Sequence, residues 1–417
     1  MEIKLMTILL IEVTVAIISH EALANGLLSR PNSQEAASSN NHRNTNAVKS
    51  IRSEDGDIID CIDIHKQPAF NHPALKNHKI QMKPSYVPTK DITSYKANTA
   101  KTPKQRKGEV PIALATQLWH RSGSCPEGTV PIRRMQKKSP YEARKPSFFQ
   151  HSKKFNISTP SKLLLANHSL TVLHSEGFAY LGAKGDIYVW NPRVELDDEF
   201  STSQVALKSG SHNNFEAVEA GWAVNPGLYK DRQTRFFVYW TNDSSRETGC
   251  FDQFCPGFVQ VNKEIALGAA LLPNSTRGQL AVPIIVYIFK DLKSNNWWIN
   301  YGEKTNVGYW PAELFTSLNH YAETVQWGGE VYSANLETLG TRPHTATQMG
   351  SGEYGYPHYD VGVIKRIRVL ENSLALQYPQ FTASFSDEYD CYSYQLFKGR
   401  LDPEFYYGGP GRNWKCP

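Results

Sequence analysis

Val282-Pro283-Ile284-Ile285-Val286-Tyr287-Ile288-Phe289, followed by Asn296-Trp297-Trp298-Ile299-Asn300-Tyr301, decides the fold class of this chain. Both runs are β-branched and aromatic, and both are short enough to read as buried strands. The same texture recurs in either direction from them. Gly185–Trp190, Ala217–Val224, Thr234–Thr241, Gly257–Val261, Gly328–Tyr332 and Val361–Leu370 are similar runs, with Gly, Pro and Asn between them. Short strands punctuated by turn residues predict an all-β region, a sandwich or barrel, from about residue 163 onward. The one stretch there that reads as a helix is Pro311–Tyr321, with proline suited to a first helical position. No solenoid-like repeat is present.

Upstream the composition changes. Residues 25–160 hold 23 Lys/Arg against 10 Asp/Glu, a net of +13, whereas 161–417 hold 21 against 27, a net of −6. Lys4 against Glu2, Glu12 and Glu21 completes the total of +5. Residues 1–24 read as a secretory signal, with an apolar run over Met6–Ser19 and a small-x-small site at Ala22-Leu23-Ala24. A secreted chain is not expected to meet nucleic acid, and no later stretch is apolar for long enough to cross a bilayer. The expected location is therefore extracellular or cell wall. The natural partner of the basic segment is the acidic region joined to it. Residues 25–50 read as disordered, Ile58–Ile64 as a strand, and 84–108 as a linker or extended arm.

Six cysteines fit an oxidising compartment, and none has the C-x2-C spacing of a zinc site. No metal or cofactor is expected. Asn156, Asn167, Asn242 and Asn274 head N-x-S/T sequons and are candidate glycosylation sites. Gly350–Gly355 satisfies G-x-G-x-x-G but lacks the strand–turn–helix setting of a dinucleotide site. H-E-x-x-H, G-x-S-x-G and Walker sequences are absent.

Two carboxyl groups carry the chemistry that is left. Glu219 stands in Glu219-Ala220-Gly221-Trp222, and Glu330 in Trp327-Gly328-Gly329-Glu330-Val331. Glutamate is ordinarily a surface residue, yet these two lie among apolar and glycine neighbours. Burial raises a carboxyl pKa, and two such groups can divide the work of acid and base. They are expected on neighbouring strands facing one cleft. Other readings of paired carboxylates on a β-sandwich are a cell-wall carbohydrate-binding protein without peptidase activity, and a glycosidase.

Gly123-Ser124-Cys125-Pro126-Glu127-Gly128-Thr129-Val130-Pro131-Ile132-Arg133-Arg134 resembles the end of the neprosin activation peptide of plant proteins, and Asp57–Asp63 through Ser85 resembles its start. Glu219–Val224, Tyr239-Trp240-Thr241, Cys250 with Cys255–Gln260, Val307–Pro311, Trp327–Val331, His344–Gly352 and Tyr407–Gly411 resemble the neprosin catalytic domain. The resemblance implies an activation propeptide over 25–160 and a catalytic antiparallel β-sandwich over 161–417. It also implies a zymogen of a glutamic endopeptidase that cuts after proline at acid pH, with Glu219 and Glu330 as the dyad. Trp222 and Trp327 are then expected to shape the cleft as flat surfaces for a proline ring, core packing being the alternative. Tyr239 and Gln348 are weaker candidates for substrate contact. The expected disulfides are Cys61–Cys125, Cys250–Cys255 and Cys391–Cys416. The basic segment should dock on the acidic domain, block its cleft and loosen on acidification, with self-cleavage after Pro146 or Pro160.

Overall fold

Alternation along two long strands lays out the molecule. In Ala217–Val224 the even-numbered Val218, Ala220 and Trp222 are fully buried in the main core, and the odd-numbered Glu219 points to the other side. In Ala322–Tyr332 it is the odd-numbered Val325, Trp327 and Val331 that enter that core. Side chains two apart share a face of a strand, so each sheet has an inner apolar face and an outer one.

The computed structural model describes residues 46–89, 91, 114–134, 167–211, 214–279, 281–336, 343–398 and 402–417. The expected signal, Asn156, Pro146, Pro160 and most of the predicted linker lie outside these. Residues Asn44–Pro417 form one unit. The basic region supplies β1 (Ala47–Arg52), β2 (Ile58–Asp63), β3 (Thr116–Gln117) and β4 (Thr129–Arg133). There follow β5 (His168–Tyr180), β6 (Gly182–Tyr188), β7 (Phe200–Ser211), β8 (Asn214–Val224), β9 (Arg235–Thr241), β10 (Cys250–Phe251), β11 (Val259–Gln260) and β12 (Leu271–Leu272). Then come β13 (Pro283–Lys290), β14 (Trp297–Tyr301), β15 (Thr305–Trp310), β16 (Ala322–Tyr332), β17 (Gly362–Leu370), β18 (Leu376–Gln377), β19 (Ala383–Ser386), β20 (Ser393–Phe397) and β21 (Glu404–Gly408).

Two antiparallel sheets enclose the core, as expected. One has seven strands in the order β10-β9-β8-β7-β16-β5-β19. The other has nine, β11-β15-β14-β13-β6-β17-β21-β20 with β18 beside β17. Trp222, Trp240, Trp297, Trp310 and Trp327 lie between them with Ile284, Val286, Ile288 and Ile364. The indole N–H of Trp222 donates to the Tyr188 carbonyl at 3.0 Å, and that of Trp327 to the Lys184 carbonyl at 3.0 Å. Both tryptophans thus reach from the seven-stranded sheet to β6 of its neighbour.

The helix expected over Pro311–Tyr321 is a single 3-10 turn, Ala312–Leu314. Side chains claim the backbone groups a helix would have used. The Glu216 carboxylate accepts from the N–H of Thr316 and Leu318, while Lys290 and Trp297 both donate to the Leu318 carbonyl.

The basic region packs on the nine-stranded sheet. Ala69 joins Tyr287, Phe289, Trp298 and Tyr309 in an apolar cluster on that sheet's outer face, with Phe70, Ile80 and Val87 against it. Leu75 and Ala115 enter the main core. β3 pairs with β12, and Cys61–Cys125 ties the two described parts of the region together. Cys250–Cys255 and Cys391–Cys416 are also bonded, so the three expected disulfides are all present.

Candidate active site

Glu219 and Glu330 share one face of the seven-stranded sheet, but they are not on adjacent strands. β7 runs between β8 and β16. Glu219 lies opposite Ala206, and Glu330 opposite Thr202, so the two are staggered by four residues along β7. Midway sits Gln204, opposite Gly221 on one side and Gly328 on the other. The lack of a side chain at both glycines is forced by backbone approach. A Cβ on Gly221 would stand 1.9 Å from the Ser203 carbonyl oxygen, and one on Gly328 2.2 Å from that of Thr171. The result is a floor between the carboxyl groups with Gln204 as its only long side chain.

Each carboxyl is mostly buried, with side-chain exposures of 12% for Glu219 and 15% for Glu330. Their surroundings push them in opposite directions. Burial raises Glu219 to about 7, against the pull of Lys208 and with help from the negative charge of Glu330. Lys208 approaches it to 3.9 Å. Burial acts on Glu330 as well, but the charge and hydrogen bond of His168 outweigh it, and Lys208 and Gln204 add to them, so its pKa is lowered. His168 Nδ1 contacts Glu330 Oε1, and Gln204 Nε2 lies 3.4 Å from Oε2. Gln204 Oε1 is buried with no partner among the described residues.

The remaining predicted site residues divide. Tyr239 lies directly opposite Glu219 and is buried, its hydroxyl 2.5 Å from Ser245. Gln348 Oε1 accepts from the Arg193 backbone at 3.0 Å, and no contact joins it to either glutamate. Trp222 and Trp327 follow the core-packing alternative and not the cleft-shaping one. Both have no exposure and face the inter-sheet core, away from the glutamates. The aromatic surface on the glutamate side consists of other residues. Phe200 and Tyr332 stack at 5.3 Å, Phe200 meets Phe251 at 6.3 Å, and Phe251 meets Tyr239 at 4.9 Å. Tyr332 and Phe251 are only half-buried.

Sequence reading missed His168, Gln204 and Lys208. The available signal was alternation: Thr202, Gln204 and Lys208 are the polar members of one face of β7, opposite Val205 and Leu207 in the core. Of the sequons, Asn242 donates its amide to the Leu314 carbonyl at 3.0 Å, while Asn167 and Asn274 are half-buried. The described part of the basic region packs on the nine-stranded sheet and also reaches Arg235 on β9 of the seven-stranded one, with no hydrogen bond or ion pair to Glu219 or Glu330 among the described residues. Docking rests on particular contacts, such as Asp57 with Arg235 at 2.7 Å and Gln67 Oε1 accepting the Gln260 N–H at 2.8 Å.

The neprosin family model matches residues 197–410, and the neprosin activation peptide model matches 50–179. The chain belongs to the neprosin family, as a glutamic peptidase preceded by an activation peptide. Among solved structures, it is similar to Scytalido-glutamic peptidase with a peptide-based transition-state analogue. The identity is 8%, the match covers 58% of this chain and 98% of that one, and the TM-score is 0.31. A β-porphyranase from the human gut bacterium Bacteroides plebeius is matched at 7% identity over 38% of this chain and 53% of that one, with a TM-score of 0.20.

Proposed function

We infer that this chain is a secreted endopeptidase, made as a zymogen, that cuts after proline at acid pH with Glu219 as general acid and Glu330 as general base. The observation that carries the reading is the opposed pair of environments. Glu219 is raised to about 7 and keeps its proton below that, whereas Glu330 is held ionised beside His168. One proton therefore resides on a defined member of the pair, which is what a concerted acid–base step needs.

We place the water and the scissile amide between the carboxyl groups, over the floor that Gly221 and Gly328 leave beside Gln204. The Glu330 carboxylate takes a proton from water as the water oxygen bonds to the peptide carbonyl carbon. Glu219 gives its proton to the carbonyl oxygen. Collapse of the tetrahedral intermediate then returns that proton to Glu219 and moves the one on Glu330 to the departing amine. The C–N bond breaks, and both carboxyl groups are back in their starting states. Gln204, with an unpartnered Oε1 over the glycine floor, is placed to hold the water.

A proline ring has no side-chain polarity to recognise and binds best on flat apolar surface. The half-buried Tyr332, stacked on Phe200 at 5.3 Å, offers one two residues from Glu330, in the place first expected of Trp222 and Trp327. All six cysteines are paired, which agrees with export to an oxidising compartment, extracellular or cell wall.

The test is direct. Processed protein is incubated at about pH 4, below the raised Glu219 value, with a proline-rich peptide, and products are identified by mass spectrometry. Cleavage on the C-terminal side of proline is expected from wild type and not from Glu219→Gln or Glu330→Gln. Intact peptide with wild type, alongside binding of a cell-wall oligosaccharide, would favour the carbohydrate-binding reading.

A further inference from the structure

Glu330 is gripped by a histidine that the acid–base reading does not itself require. We propose that His168 is a positioning residue for Glu330: its Nδ1–H holds one carboxylate oxygen and so fixes which glutamate accepts the proton. This rests on the dyad reading above.

The geometry is specific. His168 begins β5 and lies opposite Tyr332, two residues beyond Glu330 on the same face of β16. The ring is 3% exposed and its Nδ1 contacts Glu330 Oε1. Tyr332 packs edge-on at 5.0 Å and Phe200 at 6.0 Å. A ring clamped between two aromatics holds one orientation, and with it the carboxylate. The other titratable groups facing the pair are Lys208 on β7, Glu219 on β8, Tyr239 on β9 and Asp387 beyond β19. Lys208 lowers both glutamates, but its ion-pair neighbour at 3.9 Å is Glu219, so it does not hold Glu330. Asp387 is occupied by the Leu170 N–H at 2.8 Å. Among these groups only His168 hydrogen-bonds one glutamate and not the other. An oriented partner of this kind fixes the roles of two chemically identical side chains.

Any activation cut that removed His168 would remove the partner of Glu330, so the active chain must keep it.

The experiment compares kcat and KM across about pH 3–7 for wild type and His168→Gln, a range around the ordinary glutamate value. The amide can still donate one hydrogen bond but carries no charge. Expected is a KM within about twofold, a kcat lower by about 10- to 100-fold, and an acid limb moved up by about one pH unit. A His168→Gln profile that superimposes on wild type overturns the proposal. If that variant does not fold or turn over, carboxyl carbon NMR of wild type decides. Glu330 titrating below the ordinary glutamate range supports it, and titration within or above that range overturns it. An active wild-type chain whose N-terminus lies beyond residue 168 also overturns it. Glu330→Gln separates the two levels: turnover by that variant sinks the dyad reading itself, whereas an inactive Glu330→Gln beside an unmoved His168→Gln profile sinks only the role of His168.

Discussion

Glu219 and Glu330 are the same side chain in two different electrostatic settings, and mutating one should be felt in both stability and turnover. The folded-state value of Glu219 lies above the free one, because burial disfavours its charge. Ionising it costs stability as pH rises from about 4.5 to about 7, and below that window the cost is absent. Glu219→Gln should therefore raise stability at pH 8 by on the order of 1–3 kcal/mol, leave it unchanged at pH 4, and lower kcat/KM by at least about a thousandfold. Thermal melts at the two pH values check this, and an equal effect at both would contradict it. Trp327→Ala should behave in the opposite sense. Its indole is wholly buried between the sheets, so about 3–5 kcal/mol of stability should be lost in urea titrations. An unchanged midpoint with an altered KM would return Trp327 to the substrate. The burial of the glutamates was legible from their apolar settings. The place of the tryptophans was legible too, but by parity rather than proximity. Trp222 is three residues from Glu219 and Trp327 three from Glu330, and an odd separation on a strand puts two side chains on opposite faces.

At the scale of elements, β7 organises the site, and it was the strand hardest to see. Phe200–Ser211 carries hydroxyl groups on both faces: Thr202 lies on the outer face with Gln204 and Lys208, whereas Ser201, Ser203 and Ser209 share the inner face with Val205 and Leu207. The flanking apolar runs announced themselves by composition, whereas β7 shows only a period of two. The false helix at Pro311–Tyr321 failed for a complementary reason: local propensity favoured it, but Glu216, Lys290 and Trp297 take its backbone groups from distant strands. The pairing of β7 with β8 is tightest at Gly221. Gly221→Ala would place a methyl group against the Ser203 carbonyl and the Gln204 Cα. Main chain cannot swing away as a flexible side chain can, so a loss of about 3 kcal/mol is expected. The displaced Gln204 should also lower turnover in whatever protein remains folded. Thermal unfolding with residual kcat checks both, and an unchanged melting temperature would show that the strands can separate there without cost.

At the scale of the whole molecule, net charge suggested an activation region released by acid, but the described contacts favour a different order of events. Asp57 bridges Arg133 and Arg235 at 2.7 Å each, and Arg235 has no exposure at all. Burial raises the Asp57 carboxyl, but the hydrogen bonds and charges of the two arginines prevail, and its value falls below 3.8. A depressed carboxylate contributes stability above its unfolded value and loses that contribution only as pH falls through the folded one. The latch is therefore still closed at about pH 4, where Glu219 is already protonated. Apolar packing of Ala69, Phe70, Leu75 and Ala115 does not titrate and holds the same interface. Acid should thus set the protonation state of the glutamates before it frees residues 46–134. We expect that fragment to stay bound after a cut between residues 135 and 166, co-eluting with the catalytic part on gel filtration at both pH 7 and pH 4. Asp57→Asn leaves Arg235 short of one partner and should weaken the interface by about 3–5 kcal/mol at either pH. Release of wild-type fragment at pH 4, with Asp57→Asn no looser than wild type at pH 7, would restore bulk charge as the switch.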